Sequence, residues 1–334
     1  MGDFNVNDFL NDIDINFDDK NNCDNGCDSD VDGDADTDAD MDADTDSDGD
    51  EKFVGNITTD GRVWSDFLSY WDQITPENEG KWGSVEAVRD SMDWLGVQNV
   101  YDFAKMNGIP FKEHTFVWGN QYPYWIDDLG PSEQAAEIEE WIASFCEKFP
   151  DTDMIDVVNE ALPNHAPAYF AESAFGPDWV YRSFELARMY CPNSILILND
   201  YNVLRYDTEE FTAFAAPLIA SGFVDAIGCQ AHGLSGSDGD IQSASELKAN
   251  LDRVASLGVP IYISEYDIDQ ADDSFQLDVM EEQFPIFYNH PSVAGITLWG
   301  YIVGYTWRPD AGLLYTDGTP RPALTWLMDY LGRR

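Results

Sequence analysis

The stretch MIDVVNEAL, residues 154–162, carries an apolar run into an amide and an acid set side by side, Asn159 and Glu160. A second acid, Glu265, follows another apolar run in YISEYDI, residues 262–268. Acids at the ends of buried strands sit at a mouth, where they meet solvent or ligand. Two such acids can divide labour over a glycosidic bond: one, protonated, donates to the leaving oxygen, while the other, ionised, attacks the anomeric carbon or activates water. A lone Asn-Glu pair is equally a solvated loop acid, so the other strand ends decide between these readings.

Short apolar runs alternate with amphipathic segments from Phe53 onward. Strands are predicted over Phe53 to Ile57, Trp71 to Thr75, Phe111 to Val117, Met154 to Val158, Ile195 to Leu198, Val224 to Gln230, Pro260 to Ser264 and Ala294 to Leu298. Between two of them, Ile138, Trp141, Ile142, Phe145, Cys146 and Phe149 recur at the three-and-four spacing of one helix face. Eight strand–helix units predict a (β/α)₈ TIM barrel over residues 52–334. A doubly wound open sheet would be expected to carry a glycine-rich phosphate turn after an early strand, and none is found.

In such a barrel the residues just past the strand ends face one site. In order they are Glu77, Asn78 and Lys81; His114 and Trp118; Asn159 and Glu160; Asn199, Asp200 and Tyr201; Gln230 and His232; Glu265; and Trp299. Amides and carboxylates at nearly every strand end, with tryptophan among them, suit a carbohydrate, whose hydroxyls need polar partners and whose ring faces need aromatic ones.

The net charge of −47 argues against nucleic acid and anionic membranes as partners. Residues 1–50 hold 19 Asp, no Glu and one Lys, or −18 of that charge, leaving −29 for the rest. Asp occupies every even position from Asp28 to Asp50. Residues 1–51 therefore read as a disordered, Asp-rich leader, unable to bury enough apolar surface to repay ordering. DSDVDGD and DTDSDGD resemble the start of a calcium loop, but the twelfth position, which needs Glu, holds Ala39 or Gly55. Weak calcium binding by the leader and a solvated spacer are both open readings. No run of 18 apolar residues marks a membrane helix, and the first twenty residues lack the basic start and apolar centre of a secretory signal.

ITPENEGKW (74–82), HTFVWGNQ (114–121), DVVNEAL (156–162), LNDYN (198–202), QAH (230–232), ISEYDI (263–268) and TLWG followed by TW (297–307) together resemble glycoside hydrolase family 10, the endo-β-1,4-xylanases. The resemblance covers residues 53 to 332. It implies a secreted enzyme, its signal peptide absent from this chain, that cleaves xylan and xylo-oligosaccharides with retention. No Cys-His cluster has metal-ligand spacing, so no metal or other cofactor is expected, and the chain is expected to be a monomer. Glu160 is implied as acid/base and Glu265 as nucleophile. Asn159 is implied to hold the sugar 2-hydroxyl, Gln230 and His232 to orient Glu265, and Glu77, Asn78, Lys81, His114, Trp118 and Gln121 to line the glycone side. Trp299 and Trp307 are implied as an aromatic ceiling and wall. One departure stands out: Gly119 replaces a histidine common in the family, which is expected to open space or remove a hydrogen bond near the cleaved bond.

His165, after Glu160, and His290, before a proline, are expected to serve surface or packing roles, and Lys248 and Arg253 to be solvated helix charges. Cys229 is expected in the core. Cys146 and Cys191 fall near the ends of successive helices, as a disulfide or as two buried thiols. Asn56-Ile57-Thr58 matches a glycosylation acceptor.

Overall fold

The computed structural model describes residues 52–236 and 241–333. The acidic leader, with its proposed calcium loops, lies outside the described residues. Eight parallel strands form a nearly closed barrel: β1 (Phe53–Ile57), β2 (Ile74–Thr75), β3 (Lys112–Trp118), β4 (Met154–Asn159), β5 (Ile195–Asp200), β6 (Ala226–Cys229), β7 (Ile261–Tyr266) and β8 (Val293–Leu298). Hydrogen-bonded neighbours run β2-β1-β8-β7-β6-β5-β4-β3, and an isolated bridge from Ile74 to Phe111 joins the two ends.

The helices are α1 (Trp82–Val85), α2 (Leu95–Asn107), α3 (Pro131–Lys148), α4 (Tyr169–Phe175), α5 (Trp179–Tyr190), α6 (Thr208–Ala220), α7 (Ala244–Ala255), α8 (Asp273–Tyr288) and α9 (Pro322–Tyr330). Local chemistry fixes several of their ends. Pro131 opens α3, where its missing N–H costs nothing, and Gly108 closes α2 in the left-handed conformation. Ser243 and Glu246 form a reciprocal capping box on α7. The predicted face of α3 packs inward: Ile138, Trp141, Ile142 and Phe145 are fully buried.

Strands β4 and β7 are buried along their whole length, as a sheet covered on both faces requires. The second strand is shorter than expected. Residues 71–73 already track β1, but Trp71 donates its N–H back to Phe67, so the ladder starts at Ile74. The sixth is shorter too, running from Ala226 to Cys229. Met154, Ile197, Ala226 and Tyr262 close the N-terminal end of the barrel, with Phe53 stacked on Tyr262. That plug leaves the opposite mouth as the place for chemistry.

Three register shifts lie further along the strands than the one between Ile261 and Tyr262, which sits at the plugged end. Between His114 and Val117, β3 gains one residue against β4; β4 gains one against β5 between Asp156 and Val158; β7 gains one against β8 between Ile263 and Tyr266. An extra residue re-aims the side chains that follow it. The three affected strands carry His114 and Glu265 and lead directly into Glu160.

Cys146 and Cys191 are joined as a disulfide, which links the ends of α3 and α5, and Cys229 is a buried free thiol. Asn56 is fully buried, its Oδ1 accepting from the N–H of Gly300, so the acceptor triplet is not an exposed site. His290 packs inside and reaches Asp252, while Lys248 and Arg253 make exposed ion pairs with Asp252 and Glu209.

Candidate active site

A cavity of about 360 Å³ opens at the C-terminal mouth, lined by Glu77, Asn78, Lys81, His114, Trp118, Asn120, Gln121, Asn159, Glu160, Gln230, His232, Glu265, Trp299 and Trp307. Tyr201 lines an adjoining cavity of about 370 Å³ with Glu160, Asn202, Gln230, His232, Gly233, Trp307 and Arg308. The strand-end residues thus meet at one place, except Asn199 and Asp200, which lie fully buried beneath it.

Backbone strain gathers at the same mouth. Glu160, Gln121, Asn202 and Ala231 all adopt left-handed φ, at 56°, 48°, 57° and 59°. Non-glycine residues hold this conformation at a cost of order 1–3 kcal/mol each, so the surrounding structure must over-determine it. At Glu160 the restraint is visible: its N–H donates to the Asn199 carbonyl at 2.9 Å, and its own carbonyl accepts from Ala166 at 3.1 Å.

Neutral donors hold the Glu160 carboxyl. Trp118 Nε1 reaches Oε2 at 2.9 Å and Gln230 Nε2 reaches Oε1 at 3.1 Å. Burial pushes this carboxyl up, and the charge of Glu265 adds to the rise, against the two hydrogen bonds that oppose it. Glu265 stands in contrast. Asn199 Nδ2 donates to its Oε1 at 2.8 Å, and His232 Nε2 donates to its Oε2 at 3.1 Å. Burial alone would raise Glu265, but His114, His232 and Lys112 outweigh burial and bring it down to about 2. Two buried carboxyls, one prone to keep a proton and one held ionised, can act as an acid and a nucleophile or base.

The charge on His232 has its own source. Its Nδ1 donates to Asp267 Oδ2 at 2.7 Å while Nε2 faces Glu265, so both ring nitrogens are donors, as in an imidazolium. Burial would lower this group, yet Asp267 and Glu265 raise it to about 10. Asp267 also accepts from Trp307 Nε1 at 2.8 Å, and the His232 and Trp307 rings meet edge-on at 4.7 Å. Sequence reasoning left Asp267 out. Its place two residues after Glu265, one past the end of β7, was the available signal.

Lys112 and His114 both contact Asp156 Oδ2 at 2.9 Å inside the barrel. Burial pushes His114 down, against the pull of Glu265 and Asp156. On the other flank, Lys81 Nζ donates to Asn78 Oδ1 at 3.0 Å and to Gln121 Oε1 at 2.7 Å and lies 5.1 Å from the Trp118 ring. Burial raises Glu77 to about 7 despite Lys81 nearby. Asn159 bridges the two carboxyls' shells, its Oδ1 accepting from Asn199 at 2.8 Å and from Gln230 at 3.1 Å.

Gly119 does not open space. A Cβ there would lie 2.3 Å from the Pro167 carbonyl oxygen and 2.5 Å from that of Ala166, and the Gly119 N–H donates to Ala166 at 3.0 Å. The segment after Glu160 has taken the room. Gly119→Ala is accordingly expected to destabilise the fold by about 1–3 kcal/mol, because backbone rather than a flexible side chain must yield. A denaturant midpoint equal to that of the parent protein would contradict this packing.

Comparison with known proteins agrees with the geometry. The family model for glycosyl hydrolase family 10 matches residues 50–330. "Endo-1,4-beta-xylanase B" of Cellvibrio japonicus is 54% identical over 280 residues, which are 84% of this chain and 46% of that protein, so the chain spans less than half of that relative. "Endo-1,4-beta-xylanase A" of Caldicellulosiruptor saccharolyticus is 31% identical over 77% of this chain and 85% of its own length. The crystal structure of xylanase 10B from Thermotoga maritima superposes with a TM-score of 0.74 at 26% identity, covering 85% of this chain and 95% of that one. By sequence, by barrel topology and by the family-wide match, this chain belongs to glycosyl hydrolase family 10.

Proposed function

We propose that this protein is a retaining endo-β-1,4-xylanase. The observation that carries the reading is a pair of carboxyls, Glu160 and Glu265, shifted in opposite directions by their surroundings within one cavity lined by amides and tryptophans. The names of its relatives supply the substrate class.

Glu265 attacks the anomeric carbon as Glu160 gives its proton to the departing oxygen, leaving a glycosyl ester on Glu265. Water then attacks the same carbon, Glu160 takes the proton, and the ester bond to Glu265 breaks. Asn159 holds the 2-hydroxyl of the reacting sugar. His232, backed by Asp267, keeps Glu265 in place, whereas Gln230, expected to orient Glu265, donates instead to Glu160 and Asn159. Glu77, Asn78, Lys81, His114, Trp118 and Gln121 bind the glycone, with Trp299 and Trp307 above and beside it. The Cys146–Cys191 disulfide supports action in an oxidising, extracellular compartment.

The test is hydrolysis of β-1,4-xylan, cellulose and mixed-linkage glucan, with the first product followed by NMR. Short β-configured xylo-oligosaccharides are expected, with kcat/KM highest on xylan. Preference for either glucan would overturn the substrate, and an α-configured first product would overturn retention.

A further inference from the structure

His165 sits in the segment between β4 and α4, and its side chain is only 5% exposed. Its Nδ1 meets Asp200 Oδ1 at 2.5 Å and its Nε2 meets Asp207 Oδ2 at 3.3 Å. Its ring lies flat against that of Tyr201, with centroids 3.7 Å apart and planes 16° from parallel. Asp200 is fully buried and also accepts from the N–H groups of Tyr201 at 2.9 Å and Leu162 at 3.3 Å. One side chain therefore ties the segment after Glu160 to the end of β5 and to the residue that precedes α6.

The two adjoining cavities differ in one respect that assigns them. The cavity lined by Lys81 and Glu77 contains both Glu160 and Glu265, whereas the one lined by Tyr201 and Arg308 contains Glu160 alone. A nucleophile must reach the anomeric carbon and an acid must reach the leaving oxygen. The second cavity is then the side on which the departing sugar lies, and Tyr201 is the aromatic ring on its wall.

We infer that His165 is a positioning residue for the leaving-group side of the cleft: held by Asp200 and Asp207, it backs one face of Tyr201 and fixes that ring toward the departing xylose unit. The inference rests on the xylanase reading above. A tyrosine on a loop has several staggered rotamers, and covering one face with a ring that is itself pinned at both nitrogens removes that freedom. An apolar ring could stack as well, but it would leave the buried Asp200 carboxylate with backbone N–H groups alone and no His165 beside it. Glutamine could replace one hydrogen bond but supplies no flat surface.

His165→Gln is therefore tested on two substrates. Xylobiosyl fluoride fills the glycone side and expels only fluoride, whereas xylotetraose must also place sugar against Tyr201. For His165→Gln, kcat/KM on xylotetraose is expected to fall about tenfold or more while that on the fluoride stays within about twofold. Asp207→Asn, which keeps the ring and loosens its restraint, is expected to shift the same ratio by less; it also serves as the readout if His165→Gln does not fold. An unchanged ratio, or parallel loss on both substrates in either folded variant, overturns the assignment. A wild-type protein that hydrolyses neither substrate overturns the xylanase reading instead, and the inference with it.

Discussion

Glu265→Ala is expected to lower turnover on xylan by at least about 10⁴-fold, and to lower it as deeply on an aryl xylobioside whose leaving group needs no proton. The reason is that no leaving group replaces a missing nucleophile. The structure adds a second reason, since Glu265 is the anion that His232 and the Lys112 region are arranged around. Without it, the imidazolium of His232 faces an empty position at the reaction centre, and positive charge there opposes a developing oxocarbenium ion. The check is steady-state kinetics on both substrates. A variant that keeps more than about a hundredth of its activity on the aryl substrate would remove Glu265 from the nucleophile's role.

Glu160→Ala is expected to behave differently on the two substrates. Formation of the glycosyl ester from the aryl xylobioside should fall far less than from xylan, because with Glu160 proposed as the acid only xylan's leaving oxygen needs its proton. Breakdown of the ester should slow on both, since the base is gone. Azide, which attacks without needing a base, should restore turnover and give a β-configured glycosyl azide. The pH dependence follows from the same two groups. Free-enzyme kcat/KM rises with pH as Glu265 ionises, around 2, and falls as Glu160 loses its proton, above the ordinary carboxylate value. In Glu160→Ala the alkaline fall should vanish from the ester-forming step on the aryl substrate. If burst measurements instead find that step abolished as fully as in Glu265→Ala, the division of roles is wrong.

Much of the architecture was legible in the residues themselves. Apolar runs of strand length, separated by helix-period faces such as Ile138 to Phe149, required strands buried on both sides and helices packed outside them. Once a barrel is specified, chain order alone carries Glu77, Glu160 and Glu265 to one rim, because every parallel strand ends on the same side. The spacing signals were weakest where ladder pairing depends on a neighbour, which is why the second and sixth strands came out shorter than their apolar runs.

The three-dimensional arrangement decided the rest, and each case turns on a contact between residues distant in sequence. Glu160 and Glu265 are the same residue type. Their opposite shifts come from what surrounds them: burial and the charge of Glu265 push one up against the hydrogen bonds of Trp118 and Gln230, while His114, His232 with Asp267 behind it, and Lys112 bring the other down. Desolvation and Coulomb interaction act through space over a few ångströms, and a single sequence does not record those distances. The same applies to Gly119, whose missing side chain reads as open room until Ala166 and Pro167 are found in it. It applies to His165, which looks like a loop residue until two aspartates and a tyrosine close around it. It applies equally to Cys146 and Cys191, 45 residues apart in the chain, whose pairing required α3 and α5 to lie side by side. Residue type and order set which groups reach the mouth of this barrel; packing set which carboxyl is pushed up, which is pulled down, and which side chains touch them.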